Sequence, residues 1–187
     1  LFTVIVWGTT YVSTKVLIEH GLSPAEIMML RFILAYVCIW FLSPKKLFCR
    51  SWRDEGIMIL LGMTGGSLYF IVENTALGII LASNVSLILC TAPLLSALLL
   101  RLFNKNEKLR SNLVYGAVLA MLGVAFVVFN GHFILKLNPL GNFLALMASL
   151  MWAFYSLLLK KVDSRYPTVL ITRKVFFYGM LTILPYF

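Results

Sequence analysis

Residues 79–110 read IILASNVSLILCTAPLLSALLLRLFNKNEKLR. From Ile79 to Phe103 the run carries no charge until Arg101, and as a helix rising 1.5 Å per residue it is long enough to cross roughly 30 Å of hydrocarbon. It then gives way to Lys105, Lys108 and Arg110, with Glu107 among them. An apolar span that ends in a basic gap reads as a membrane helix whose end meets the cytoplasm.

Working outward, the same pattern recurs on both sides. Leu1 to Glu19, Pro24 to Leu42 and Glu55 to Leu77 precede this span, and Leu113 to Asn130, Leu140 to Leu159 and Thr168 to Phe187 follow it. Basic residues fill every second gap: Lys45, Lys46, Arg50 and Arg53; Arg101, Lys105, Lys108 and Arg110; then Lys160, Lys161, Arg165, Arg173 and Lys174. The alternate gaps, around His20, Gly78 and His132, hold only Lys136. The positive-inside rule makes the basic gaps cytoplasmic, so the first span runs from inside to outside. The predicted fold class is all-α, a polytopic membrane protein with about seven transmembrane helices in this chain.

Composition agrees. A chain that is 61% hydrophobic and 12% charged, with mean hydropathy +0.94, does not suit a soluble globular domain. The net charge of +9 comes from basic residues of which thirteen of sixteen lie in the cytoplasmic gaps, where anionic headgroups suffice as partner, so nucleic acid is not expected. Cys38, Cys49 and Cys90 are odd in number and lack C-x-x-C spacing, which predicts neither a disulfide framework nor a metal site. There is no G-x-x-x-x-G-K-[ST], so no P-loop nucleotide site is expected, and nothing points to a cofactor. The first span has no small-residue cleavage site and another span follows directly, so it reads as retained rather than as a signal peptide.

The chain begins without methionine and stops within an apolar run, which predicts that further helices belong to the active protein. A weak internal repeat points the same way: Trp7, Lys15, Pro24 and Arg31 match Trp152, Lys160, Pro167 and either Arg173 or Lys174. A repeat of five spans enters the membrane from the opposite side in its second copy, which is the inverted-repeat plan of secondary transporters.

Several motifs carry a family resemblance. Trp7-Gly8-Thr9-Thr10-Tyr11, Leu22-Ser23-Pro24 with Leu30-Arg31-Phe32, Glu73-Asn74-Thr75-Ala76-Leu77, Ala82-Ser83-Asn84-Val85 through Thr91-Ala92-Pro93-Leu94, and Asn106-Glu107-Lys108-Leu109 resemble the EamA-type transporters of the drug/metabolite transporter superfamily. The resemblance implies ten helices in two inverted five-helix halves. Residues 1–130 would then form the first half and residues 131–187 the truncated start of the second. It also implies movement of small metabolites such as amino acids.

Ionisable groups within a bilayer are costly, so Lys15, Arg31 and Glu73 are the first candidates for chemistry. Counted from the outer ends of their spans, all three lie within roughly 10 Å of the outer boundary. In one reading they face a shared cavity, bind the charged ends of a solute, and Glu73 also carries a proton. In the other, Lys15 snorkels or pairs with Glu19, and Arg31 pairs with Glu73 to hold helices together. Asn74 and Asn84 add polarity at the same corner, and Trp7, Tyr11, Tyr69, Trp152 and Tyr155 could line an aromatic wall or simply pack. Pro93 predicts a kink in the fourth span. Gly62 and Gly66, and a second stripe of Gly116, Ala120 and Gly123, suit close helix contact.

The function these features predict is secondary transport, an exporter of small metabolites or drugs working by alternating access in the plasma membrane (bacterial inner membrane). Its partners would be the solute and the lipid bilayer, with a homodimer left open. The alternatives are a membrane-embedded lipid-modifying enzyme or an oligomeric channel. The chain offers no nucleophile or metal-binding set for the first, the adjacent acids Asp54 and Glu55 suggesting no site, and no polar filter for the second.

Overall fold

The computed structural model describes residues 2–42, 48–103, 111–129 and 138–187. Lys45, Lys46, the loop from Lys105 to Arg110, Asn130, His132 and Lys136 lie outside the described residues, as does the side chain of Trp7.

The helices are α1 (Phe2–Glu19), α2 (Pro24–Leu42), α3 (Trp52–Gly62), α4 (Leu68–Ile79), α5 (Ala82–Leu89), α6 (Ala92–Phe103), α7 (Ser111–Phe129), α8 (Pro139–Leu159) and α9 (Thr168–Ile183). A π-helical segment, Met63–Ser67, joins α3 to α4, so the two form one continuous rod, and a 3₁₀ turn at Leu184–Tyr186 closes the chain. Among the described residues, five stretches are long and apolar enough to cross a bilayer: Pro24–Phe41, Trp52–Ile79, Ala82–Phe103, Pro139–Leu159 and Thr168–Tyr186. Helices α1 and α7 stand where the first and fifth spans are expected. The protein is an all-α polytopic membrane protein.

Local chemistry sets the helix ends. Gly21, at φ +94°, turns the chain between α1 and α2, a backbone conformation that glycine adopts without a Cβ penalty. A reciprocal capping box then starts α2: Glu26 N donates to Ser23 Oγ at 3.2 Å, and Ser23 N donates to Glu26 Oε2 at 2.7 Å. Ser51 caps α3, and Asn138 caps α8 ahead of Pro139.

Several boundaries differ from expectation by a few residues. The break after the third span falls at Ile80–Leu81 rather than at Gly78, because Gly78 stays helical while Ile80 turns extended. The third span also begins three residues early, at Trp52, where the Ser51 cap fixes it. The kink expected from Pro93 appears as a break at Cys90–Thr91. There Thr91 N and Thr91 Oγ1 both donate to the Ile88 carbonyl, at 3.0 and 2.7 Å. Ser149 Oγ of α8 adds a third donor at 3.2 Å, so the broken helix is stitched to its neighbour.

The two helices of the expected second repeat pack into the first five spans. Helix α8 lies against α4 and α6, while α9 lies against α3 and α2. Gly62 and Gly66 meet α9, as their spacing predicts: a Cβ at Gly62 would fall 2.5 Å from Tyr178 Cβ, and one at Gly66 would fall 3.1 Å from Gly179 Cα. The second stripe does not behave this way. An added Cβ at Gly116 or Gly123 would meet nothing within 4 Å among the described residues. Large apolar side chains such as Phe41, Leu102 and Phe126 point outward, whereas Glu55, Glu73, Asn74, Arg173 and Lys174 are buried. That inversion suits a chain whose solvent is lipid.

Candidate functional site

Glu73 sits one turn and a half from the end of α4 and is 5% exposed. Tyr69, one turn earlier on the same helix, donates its hydroxyl to Glu73 Oε1 at 2.5 Å. Tyr11 of α1 stands beside both groups. The aromatic wall continues through α8: the Tyr69 and Trp152 rings lie 5.2 Å apart, and the Trp152 and Tyr155 rings another 5.2 Å. The Tyr155 ring is seated on Gly65 of the π segment, where an added Cβ would fall 2.2 Å from the ring. The bulge therefore makes room for an aromatic side chain deep in the bundle.

The structure thus brings together Tyr11, Tyr69, Glu73, Trp152 and Tyr155. The cations are arranged differently from either reading of the sequence. Lys15 neither snorkels nor pairs with Glu19; its Nζ donates to the carbonyls of Leu77 and Ile80, at 2.6 and 3.2 Å. These are the last carbonyls of α4, where a cation complements the helix dipole. Arg31 does not reach Glu73 as an ion pair. It donates to Thr14 Oγ1 at 3.1 Å and lies over the Phe70 ring. Asn74 turns toward α2, donating to the Pro24 carbonyl at 3.3 Å, while its Oδ1 is buried without a hydrogen-bond partner among the described residues. Asn84 is buried on α5.

A second polar cluster at the basic end of the bundle was not foreseen. Asp54 and Glu55 are 6% and 7% exposed, although an acidic pair in a first helical turn reads as ordinary dipole compensation. Tyr166 Oη and Arg165 Nη1 both reach Asp54, each at 2.7 Å. Glu55 Oε1 accepts from Lys174 Nζ and Tyr178 Oη, and Glu55 Oε2 accepts from Cys49 N at 2.8 Å. Arg173 and Lys174, counted in the sequence among the cytoplasmic charges, instead lie inside α9 and are 2% and 4% exposed. The available signal was spacing: Arg31 stands seven residues after Pro24, and Lys174 stands seven after Pro167.

Burial, with the Glu55 carboxylate beside it, pushes the Cys49 thiol up to about 11. In a protein lacking Cys38 and Cys90, maleimide labelling of Cys49 is therefore expected to be slow at neutral pH. Its rate should climb about tenfold per pH unit toward pH 11. A plateau near pH 9 in stopped-flow labelling would contradict this environment.

These features define a helical membrane protein with a buried carboxylate in an aromatic-lined site between α1, α4 and α8. The profile of the EamA-like transporter family matches residues 1–129, and the chain belongs to that family. It is 25% identical over 186 residues to an uncharacterized transporter of Archaeoglobus fulgidus, a match covering 98% of this chain and 64% of the relative. It is 22% identical over 194 residues to an uncharacterized transporter of Clostridium kluyveri, covering 98% and 62%. It is 26% identical over 190 residues to a probable amino-acid metabolite efflux pump of Salmonella typhimurium, covering 100% and 60%. The chain thus spans 60–64% of the length of these relatives. No solved structure gives a significant match.

Proposed function

We propose that the chain forms part of a secondary transporter that exports small metabolites, amino acids or related solutes, across the bacterial inner membrane by alternating access. The observation that carries this reading is Glu73: a carboxyl group inside the bundle, held by a tyrosine hydroxyl and walled by aromatic rings, with Arg31 close by but engaged elsewhere. Such a group can exchange its proton when a charged solute enters. Tyr11, Tyr69, Trp152 and Tyr155 are the proposed wall of the solute site, and Trp7, four residues before Tyr11, remains a candidate from the sequence. Lys15 and Asn74 hold the surrounding helices, and Arg31 is the cation available to a carboxylate. The name of the Salmonella relative supports the amino-acid class.

The relation between Arg31 and Lys174 supports the inverted-repeat plan. Each follows its proline by seven residues, and each approaches a carboxylate-bearing end of the rod formed by α3 and α4.

The test compares metabolites in the medium and in cells expressing the full-length protein or its Glu73→Gln variant at equal membrane abundance. A charge-bearing hydrogen-bond site of this kind predicts a loss of transport of roughly tenfold or more in the variant. Equal transport by both proteins would make Glu73 a packing residue. Flux that fails to saturate with solute would favour the channel.

A further inference from the structure

A cavity of about 100 Å³ opens between α2 and α9 at the basic end, lined by Tyr36, Phe48, Arg173, Lys174, Phe177 and Tyr178. By volume it would take roughly three waters, which is the scale of a phosphate group. Among the described residues its wall holds two cations and no carboxylate; Glu55 reaches Lys174 from the α3 side. Lys174 Nζ lies over the rings of Phe48 and Tyr178, at 5.5 and 5.4 Å from their centroids, which keeps the ammonium beside aromatic faces.

The surroundings indicate what such a cavity receives. Trp52 and Phe48, at the same end of the bundle, are 89% and 76% exposed, as interfacial aromatics are at headgroup level. Beyond the cavity, exposed apolar side chains follow α9 through Phe177 and Leu181 to Leu184 of the 3₁₀ turn. On α2 they are matched by Ile33 and Val37, and the Tyr36 and Phe177 rings, 6.0 Å apart, bring the two sets together. Cations at the cavity wall with exposed apolar side chains leading away from them match a phosphate group at headgroup depth with an acyl chain below it.

We propose that this cavity binds the phosphate group of an anionic membrane lipid, with Arg173 and Lys174 as its cations and the exposed apolar side chains of α2 and α9 holding the chain. The site is separate from Glu73 and does not depend on what the protein transports. Free inorganic phosphate shares the chemistry of the headgroup, so the test must separate the two sources.

The full-length protein is reconstituted in phosphatidylcholine nanodiscs with or without phosphatidylglycerol, and lipid retained on release is measured by native mass spectrometry. Phosphatidylglycerol should be retained in preference to phosphatidylcholine. Arg173→Gln should weaken that preference about fivefold, the effect of one interfacial cation, while Arg165→Gln, at a half-exposed cation outside the cavity, should leave it unchanged. Tyr36→Trp, which fills the cavity without altering charge, should give the same loss and serves if Arg173→Gln does not fold. In a parallel arm, inorganic phosphate is added to phosphatidylcholine discs and thermal stability is followed. Stabilisation there, without retention of phosphatidylglycerol, would keep the phosphate site and overturn its assignment to lipid. No preference between the lipids together with no response to phosphate would overturn the site. So would equal losses in Arg173→Gln and Arg165→Gln.

Discussion

Lys174→Met is expected to lower the stability of the protein by about 3 kcal/mol, at the low end of the cost of breaking a buried ion pair. The loss arises less from the missing attraction than from what remains. Glu55 stays inside the bundle at 7% exposure, without the cation that offset its desolvation. It keeps Tyr178 Oη and Cys49 N as donors, which is why the upper end of the range is not reached. Combining Glu55→Gln with Lys174→Met removes both charges and should recover most of the loss, because a neutral amide can keep hydrogen bonds to the same neighbours. Reversible unfolding in mixed micelles measures all three variants. If the losses of the two single variants simply add in the double variant, the two residues are not coupled and the buried pair is not formed in the folded protein.

This pair also marks where reading the sequence stops. Apolar runs fix the spans because a helix must satisfy its own backbone in lipid, and a run of the required length leaves few alternatives. Pro93 announces its break because it lacks a donor at any position. The side-chain partners of Asp54 and Glu55 lie more than a hundred residues away, on the turn before α9 and on α9 itself. No local pattern can give that distance. The basic cluster from Lys160 to Lys174 reads as one solvated group, yet α9 carries Arg173 and Lys174 inward while Arg165 stays half exposed. At the other end the sequence singles out Lys15, Arg31 and Glu73 as charges needing an explanation. It offers a shared solute cavity, or a Lys15 that snorkels or pairs with Glu19 beside a pairing of Arg31 with Glu73, whereas backbone carbonyls and a threonine hydroxyl satisfy the two cations. Main-chain acceptors at a helix end are invisible until the end itself is located, and the break at Ile80 lies two residues beyond the expected one.

Gly62→Ala should be the most damaging glycine-to-alanine change among the described residues, destabilising by about 3 kcal/mol, the upper part of the overpacking range. Its Cβ would fall 2.5 Å from Tyr178 Cβ and 3.0 Å from Gly179 N, so the obstruction is backbone and its first side-chain atom. Nothing flexible can yield, and α3 and α9 must separate. That separation would also pull Tyr178 and Lys174 away from Glu55, adding to the loss. Two other glycines supply the comparison within the same rod. Gly56 on α3 has nothing within 4 Å of an added Cβ, so Gly56→Ala should raise stability by up to about 1 kcal/mol through helix propensity alone. Gly65→Ala meets a closer atom, at 2.2 Å, but that atom belongs to the Tyr155 ring, and a ring can turn where a backbone cannot. Its cost should therefore fall when Tyr155 is shortened to alanine, whereas no side-chain truncation on α9 should rescue Gly62→Ala. Unfolding midpoints in mixed micelles decide the ranking, and a Gly62→Ala protein as stable as Gly56→Ala would mean that α3 and α9 do not meet at this seam.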